Sequence, residues 1–371
     1  MATRVLQIIG SLDFGGTTRQ LTQLVKQLPA DEFETHVCSL RQIATAPAVL
    51  RQNPTRFTTV NRTRSWDPSA LIRLGENVRR LRPDIIHTWD FDANTYGRAT
   101  ALGFHRCHLI ASDRRMAVAE GFHRRWIDRW LARYTQRIIV PNDHVRNHCL
   151  ACGLPTSKLE VIRGGVPHRK QLKGHRKKLL HQLGIPPHAR LIGASGPMTW
   201  DRRYKDLVWA TEILKVIRKD VHLLIIGDGP QSSQLRRFRD QVQIQDRVHL
   251  LGDCDPDPIL PILDCYWLGS SCESMPYELA EVMAAGVPVV ATNLPTVHDL
   301  IVHGETGYLV QVGHRAGFSS WTNVLLNDSV LAQRIAEAGQ KQALMRYNLQ
   351  TMVNHHMALY RLLMRQTAEN L

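Results

Sequence analysis

The sequence has no run of about eighteen apolar residues, so no segment has the length and polarity of a membrane-spanning helix. The G-x-G-x-x-G fingerprint is missing, and with it the usual sequence signal for a dinucleotide. Zinc-finger spacing, an aromatic RNA-binding signature and a recognition-helix motif are also missing, which argues against nucleic acid as the main partner. Low-complexity tracts are absent. A signal peptide is not expected, because the apolar stretch Val5 to Ile9 is short and runs straight into glycines; it reads as a first buried strand, and the chain is expected in the cytoplasm. The seven cysteines are odd in number and follow no secreted framework. Cys149 and Cys152 form a C-x-x-C without a second pair of ligands nearby, so no metal site is expected and the pair reads as helix-end cysteines.

What is present is globular. The 371 residues are 43% hydrophobic and 22% charged, enough for two domains that each bury a core. Lysine and arginine number 47 against 33 acidic residues, a net charge of +14. That surplus suits an anionic partner: a nucleotide diphosphate, an anionic membrane surface or nucleic acid. It does not choose among them.

Short apolar runs alternate with segments of helical period. VLQII (5–9), THVCSL (35–40), DIIHTW (84–89), CHLIAS (107–112) and RIIVPN (137–142) read as buried strands. TRQLTQLVKQL and PSALIRLGENVRRL between them read as helices. A second set follows with LIGASG (191–196), HLLIIGDG (222–229), RVHLLGD (247–253), DCYWLGSS (264–271) and PVVAT (288–292). Strand and helix in alternation with short loops is the pattern of a parallel sheet covered on both faces, and two sets imply an α/β chain of two doubly wound, Rossmann-like domains. The reading divides the chain into a first domain over 1–165, a basic linker over 166–186, a second domain over 187–345 and a final helix over 346–371.

Two segments carry chemistry. In GSLDFGGTTRQL, Gly15 and Gly16 precede a helix, where glycine lets backbone N–H groups approach an anion; a tight turn with no ligand explains the pair equally well. In SSCESMPYELAEVMAAGVPVVAT, Glu273 and Glu281 stand seven residues apart, one in a loop and one inside the helix that follows. A helix start at the carboxyl edge of a parallel sheet suits a phosphate, and two carboxylates there suit sugar or ribose hydroxyls.

ESMPYELAEVMAAGVPVVAT resembles the donor-site segment of the group 1, or family 4, retaining glycosyltransferases, with its glutamate, seven residues, glutamate. GSLDFGG resembles the N-terminal glycine loop of that family, RPDIIHTW its first-domain strand and loop, and VIRGGV its domain-closing VIPNGV. LLIIGDGPQSSQL resembles its GDGP turn and HGETGYLV its late GxxGxLV. The resemblance runs from about residue 5 to 365. It implies the GT-B fold, a sugar nucleotide as substrate bound in an interdomain cleft, transfer with retention and without a metal or other cofactor, and a last helix that returns to the first domain. It also implies that Glu281 holds the ribose, Glu273 the transferred sugar, Gly15 and Gly16 the diphosphate, and that Lys205 in RRYKDL neutralises the pyrophosphate. Cations and a helix dipole would then absorb the charge of the leaving group.

The chain departs from the family at three places. The arginine that follows the glycine ending the first strand of the second domain is replaced by Pro197, leaving Arg202 or Arg203 to supply the guanidinium. The first-domain histidine near the sugar is missing from LIASDRRMAVAEGFHRR, where Asp113 or Arg114 takes the position or the site has lost a group. ATNLPTVHDLI has Pro295, Thr296 and Asp299 where the family shows glycines and a late glutamate. His87 and Trp89, with Asp90 or Asp92 beside them, read either as sugar or acceptor contacts or as a packed sheet edge. In HRRWIDRWLARYTQR, Trp126, Ile127, Trp130, Leu131 and Tyr134 share a helical face flanked by Arg125, Arg129 and Arg133, which serves either as core packing or as contact with an anionic membrane. The expected activity is transfer of a sugar from a nucleotide sugar to a hydroxyl of a glycan, lipid or lipid-linked saccharide. A catalytically silent sugar-nucleotide binder and, less in keeping with the donor segment, an epimerase on the same fold stand as alternatives.

Overall fold

The computed structural model describes residues 2–12, 15–41, 56–64, 66–104, 107–113, 122–167 and 174–369. The chain forms two compact units, one of residues 1–165 with 349–371 and one of residues 166–348.

The first unit is built on a seven-stranded parallel sheet: β1 (Thr3–Ile9), β2 (Phe33–Ser39), β3 (Arg56–Thr59), β4 (Ile85–Thr88), β5 (His108–Ser112), β6 (Arg137–Val140) and β7 (Leu159–Val161). Their order across the sheet is β3-β2-β1-β4-β5-β6-β7. Strands covered on both faces need not alternate apolar with polar, which is why β1 reads as a nearly continuous apolar run. Its side chains still divide by parity. Val5 and Ile9 enter one cluster with Leu21 and Leu24 of α1 (Gly16–Gln27), and Leu6 and Ile8 enter another with Ala70, Leu74 and Val78 of α2 (Pro68–Leu81). Asp67 starts α2 by accepting from the Ala70 amide, and Pro68 occupies the first helical position, where a missing N–H costs nothing. α3 (Phe91–Ala101), α4 (Phe122–Ala132) and α5 (Asp143–Ala151) complete the crossovers. The C-terminal helix (Leu349–Glu369) lies in this unit, with Met352, Val353, Leu359, Tyr360 and Leu363 packed in the cluster of Val5 and α1.

In α4 the inward residues are Asp128, Leu131 and Ala132, and Asp128 pairs with the buried Arg98 of α3. Trp126, Trp130 and Tyr134 point outward. Core packing accounts for Leu131 and leaves the aromatic residues unexplained.

The second unit holds a six-stranded parallel sheet. Its elements are α6 (His175–Gln182), β8 (Arg190–Ser195), α7 (Tyr204–Ile217), β9 (Val221–Ile226), α8 (Ser232–Gln241), β10 (Val248–Gly252), β11 (Cys265–Leu268), α9 (Tyr277–Ala284), β12 (Val289–Thr292), β13 (Tyr308–Val310), α10 (Arg315–Asn327) and α11 (Ser329–Arg346). The sheet order is β10-β9-β8-β11-β12-β13, so successive crossovers run outward in opposite directions from β8 and β11. Such a switch leaves a crevice outside the carboxyl ends of the two central strands, where ligands of open α/β sheets bind. The stretch read as a linker contains α6, whose Leu180 is buried in this unit's core.

Candidate functional site

The loops after β8 and β11 flank the switch point of the second sheet, and they bring a charged cluster together. After β8 the chain passes Gly196 at φ 126° and a one-turn helix (Trp200–Arg202) into α7. The GDGP turn after β9 holds this loop backbone to backbone. Met198 donates its amide to Asp228 O at 2.9 Å, and Gln231 donates to Met198 O at 2.9 Å. A Cβ on Gly227, whose φ is 129°, would stand 2.1 Å from Gly196 O, so only glycine permits this approach. The loop after β11 is tied in from the other side, the Ser271 amide donating to Asp201 O at 2.7 Å.

Arg202 is the centre of the cluster. Its guanidinium lies 2.6 Å from Glu273 Oε1 and 3.4 Å from Glu278 Oε1, and it packs against Gly196, the glycine after which the family's own arginine stands. Both carboxylates are buried. Glu273 also accepts from Ser270 Oγ at 2.7 Å, while its backbone carbonyl takes the Thr296 hydroxyl at 2.9 Å. One cation faces two carboxylates here. Burial raises Glu273 first, Arg202 pulls it back, and the charge on Glu278 raises it again, leaving it at about 7. The same two carboxylates hold the Arg202 proton more firmly than usual. Beneath the cluster, Tyr266 and Tyr204 fix the β8 end: Tyr266 accepts from the Ser195 amide at 3.1 Å, and Tyr204 donates to Gly196 O at 3.1 Å.

Glu281 is buried on α9, one turn beyond Glu278. Lys205 opens α7 with its ammonium 5.5 Å from the ring centres of both Trp200 and Phe238, and it makes no ion pair among the described residues. Arg203, the other candidate for the missing arginine, is turned away. It pairs with Asp206, which is shared with Arg315. Glu278 was not singled out from sequence, where it is an ordinary first-turn helix glutamate; only its three-residue spacing from Glu281, which sets both on neighbouring turns of one face, hinted at a cluster.

In the first unit, Gly15 caps α1 with φ −70° and Gly16 is its first residue, beyond the end of β1 and beside the switch between β1 and β4. His87 and Trp89 are placed differently from the expectation of a ligand contact. Both have 0% exposure. His87 shares hydrogen bonds with Tyr360 Oη at 2.7 Å and Ser112 Oγ at 2.8 Å, and Trp89 donates to Gln7 Oε1 at 2.7 Å. His87 bonds the sheet to the C-terminal helix and Trp89 bonds back to β1, the arrangement of a packed sheet edge. Asp90 accepts from the Gly10 and Ala93 amides, and Asp92 pairs with Arg62. Asp113 is buried at the end of β5, where Cys149 donates to it at 3.6 Å. Arg114 lies outside the described residues.

Two family models together cover most of the chain: "Glycosyltransferase Family 4" over residues 14–170 and "Glycosyl transferases group 1" over residues 162–342. The N-acetyl-alpha-D-glucosaminyl L-malate synthase of Bacillus anthracis is 27% identical over 208 residues, 56% of this chain and 54% of that protein. The chain thus spans about half the length of that relative. The putative glycosyltransferase EpsD of Bacillus subtilis is 22% identical over 78% of this chain and 80% of its own length. Among solved structures, Anabaena HepE, crystallised with UDP and glucose, superposes with a TM-score of 0.83 at 19% identity over 97% of this chain and 99% of its own. The chain has the GT-B fold and belongs to the group 1, or family 4, glycosyltransferases.

Proposed function

We propose that the protein transfers a hexosyl residue from a nucleotide sugar to a hydroxyl of a glycan or lipid-linked acceptor, with retention of configuration and without a metal. The observation that carries this reading is the cluster of Arg202, Glu273 and Glu278 at the switch point of the second sheet. In this reading Lys205 and Arg202 meet the diphosphate, so that cations already in place absorb the charge that develops on the leaving group. Glu281 takes the ribose hydroxyls. Glu273, holding a proton near neutral pH, both donates to and accepts from hydroxyls of the sugar. Gly15 and Gly16 offer backbone donors at the start of α1, and Asp113 is the first-unit residue assigned to the sugar. UDP is the first nucleotide to try, because HepE was crystallised with it.

No helix among the described residues is long and apolar enough to cross a membrane. We place the protein in the cytoplasm, bound peripherally to the inner face of an anionic membrane.

A second reading has one observation behind it: Arg202 is already held by two carboxylates, so a chain that binds the nucleotide and turns nothing over is the rival. Incubation with UDP-hexoses and candidate acceptors, with the anomeric configuration of the product read by proton NMR, separates them. An α-linked product from an α-linked donor supports the transfer reading, and loss of turnover in Arg202→Met ties it to the cluster. UDP binding with no transfer to any glycan or lipid-linked acceptor favours the silent reading, and a β-linked product overturns retention.

A further inference from the structure

The outward face of α4 has no role in the donor site. Trp126 is 62% exposed and Trp130 39%, four residues apart on one face of α4, and Tyr134, in the turn that follows the helix, is 51% exposed. Trp130 and Tyr134 meet edge to face at 5.5 Å, forming a ridge. Tryptophan so exposed is costly in water and suits a boundary between water and an apolar phase. The ridge is bordered by exposed Arg129 and Arg133.

Where α4 ends, the ridge runs into a groove of about 480 Å³. Leu102, Phe104 and Tyr134 line it with apolar surface, and Arg133, Arg137 and Lys158 line it with cations. Lys158 is fixed in place, donating to Ala132 O and Arg133 O at 2.8 Å each. These residues lie at the amino ends of β5, β6 and β7, the edge opposite the carboxyl ends that carry Gly15 and Asp113. Apolar side chains beside cations match one kind of surface, in which acyl chains lie under anionic headgroups.

We propose that the Trp126–Trp130–Tyr134 ridge and the adjoining groove seat the protein on an anionic phospholipid bilayer. The aromatic rings enter the interface, and Arg133, Arg137 and Lys158 meet headgroup phosphates. This deepens the membrane placement given above and does not depend on the donor chemistry.

The test is flotation of the full chain with vesicles of phosphatidylcholine alone and of phosphatidylcholine with about one third phosphatidylglycerol. The expected result is binding to the anionic vesicles only, weakening with added salt. Trp126→Ser with Trp130→Ser should weaken it about ten-fold or more, and Arg133→Gln with Arg137→Gln by about five-fold for each charge removed. Val216→Ser, at a residue 76% exposed on α7, should leave it unchanged. Melting curves without vesicles establish that the variants fold, and UDP-induced thermal shifts on the same samples report the donor site separately. Binding absent from both vesicles, equal on both, or unaltered by both double variants overturns the proposal and leaves the transfer reading standing. Flotation as expected without any UDP shift supports the membrane face and counts against the donor site.

Discussion

Replacing Glu273 with glutamine changes the pH dependence of stability in a way that follows from the cluster's charge balance. In the folded protein Glu273 gives up its proton at about 7, against an ordinary value of 4.5, because burial and Glu278 outweigh Arg202. At about 1.4 kcal/mol for each pH unit, ionising it in the folded state costs about 3.5 kcal/mol more than in the unfolded chain. A raised folded value means that the native state binds the extra proton, so this contribution is fully present below pH 4.5 and is lost as the pH rises through about 7. Glu273→Gln keeps the shape and still accepts from Ser270 beside Arg202, but it has no proton to lose. Urea unfolding at about pH 5 and about pH 8 should therefore show wild type losing about 2.5 kcal/mol more than Glu273→Gln between the two. Equal losses in the two proteins, or a larger loss in the variant, would refute the argument that burial beats Arg202 at this carboxylate.

Tyr360→Phe should destabilise the first unit by about 1–3 kcal/mol, because it strips one hydrogen bond each from buried His87 and Gln7; differential scanning calorimetry reads it. Gly227→Ala should cost more, since the new Cβ meets Gly196 O at 2.1 Å and the backbone stands at φ 129°. Its UDP affinity should fall together with its melting temperature, whereas loss of neither would show that the two loops are free to separate.

Much of the fold is legible in the sequence where strands are central. Each of the ten apolar runs read as strands overlaps a strand, because a strand buried on both faces has to be apolar along its length. The three strands not anticipated, RFTT of β3, LEV of β7 and YLV of β13, are short and sit at sheet edges. With a neighbour on one side only, they carry little hydrophobic signal. The donor segment was legible because its residues are contiguous. Glu278 and the capture of Arg202 were not, since Arg202 stands 71 positions before Glu273 and only the sheet switch brings them together. His87 and Trp89 stayed open between two readings for a related reason. A strand-end histidine looks like a ligand contact until the helix that covers it is known, and that helix comes from the far end of the chain.

In the proposed site a nucleoside diphosphate binds at the carboxyl edge of the second sheet, held in part by Glu281. Thermal shift of wild type and Glu281→Gln against UDP, GDP, ADP and their hexose conjugates tests it most directly. A nucleotide at a hundred-fold excess over its Kd adds about 2.7 kcal/mol, or about 5–10 °C in a unit of this size. Wild type should show such a shift with one nucleotide and Glu281→Gln should lose it, with the unliganded variant still folded. A folded protein that shifts with none of them, or a variant that shifts as far as wild type, would contradict it.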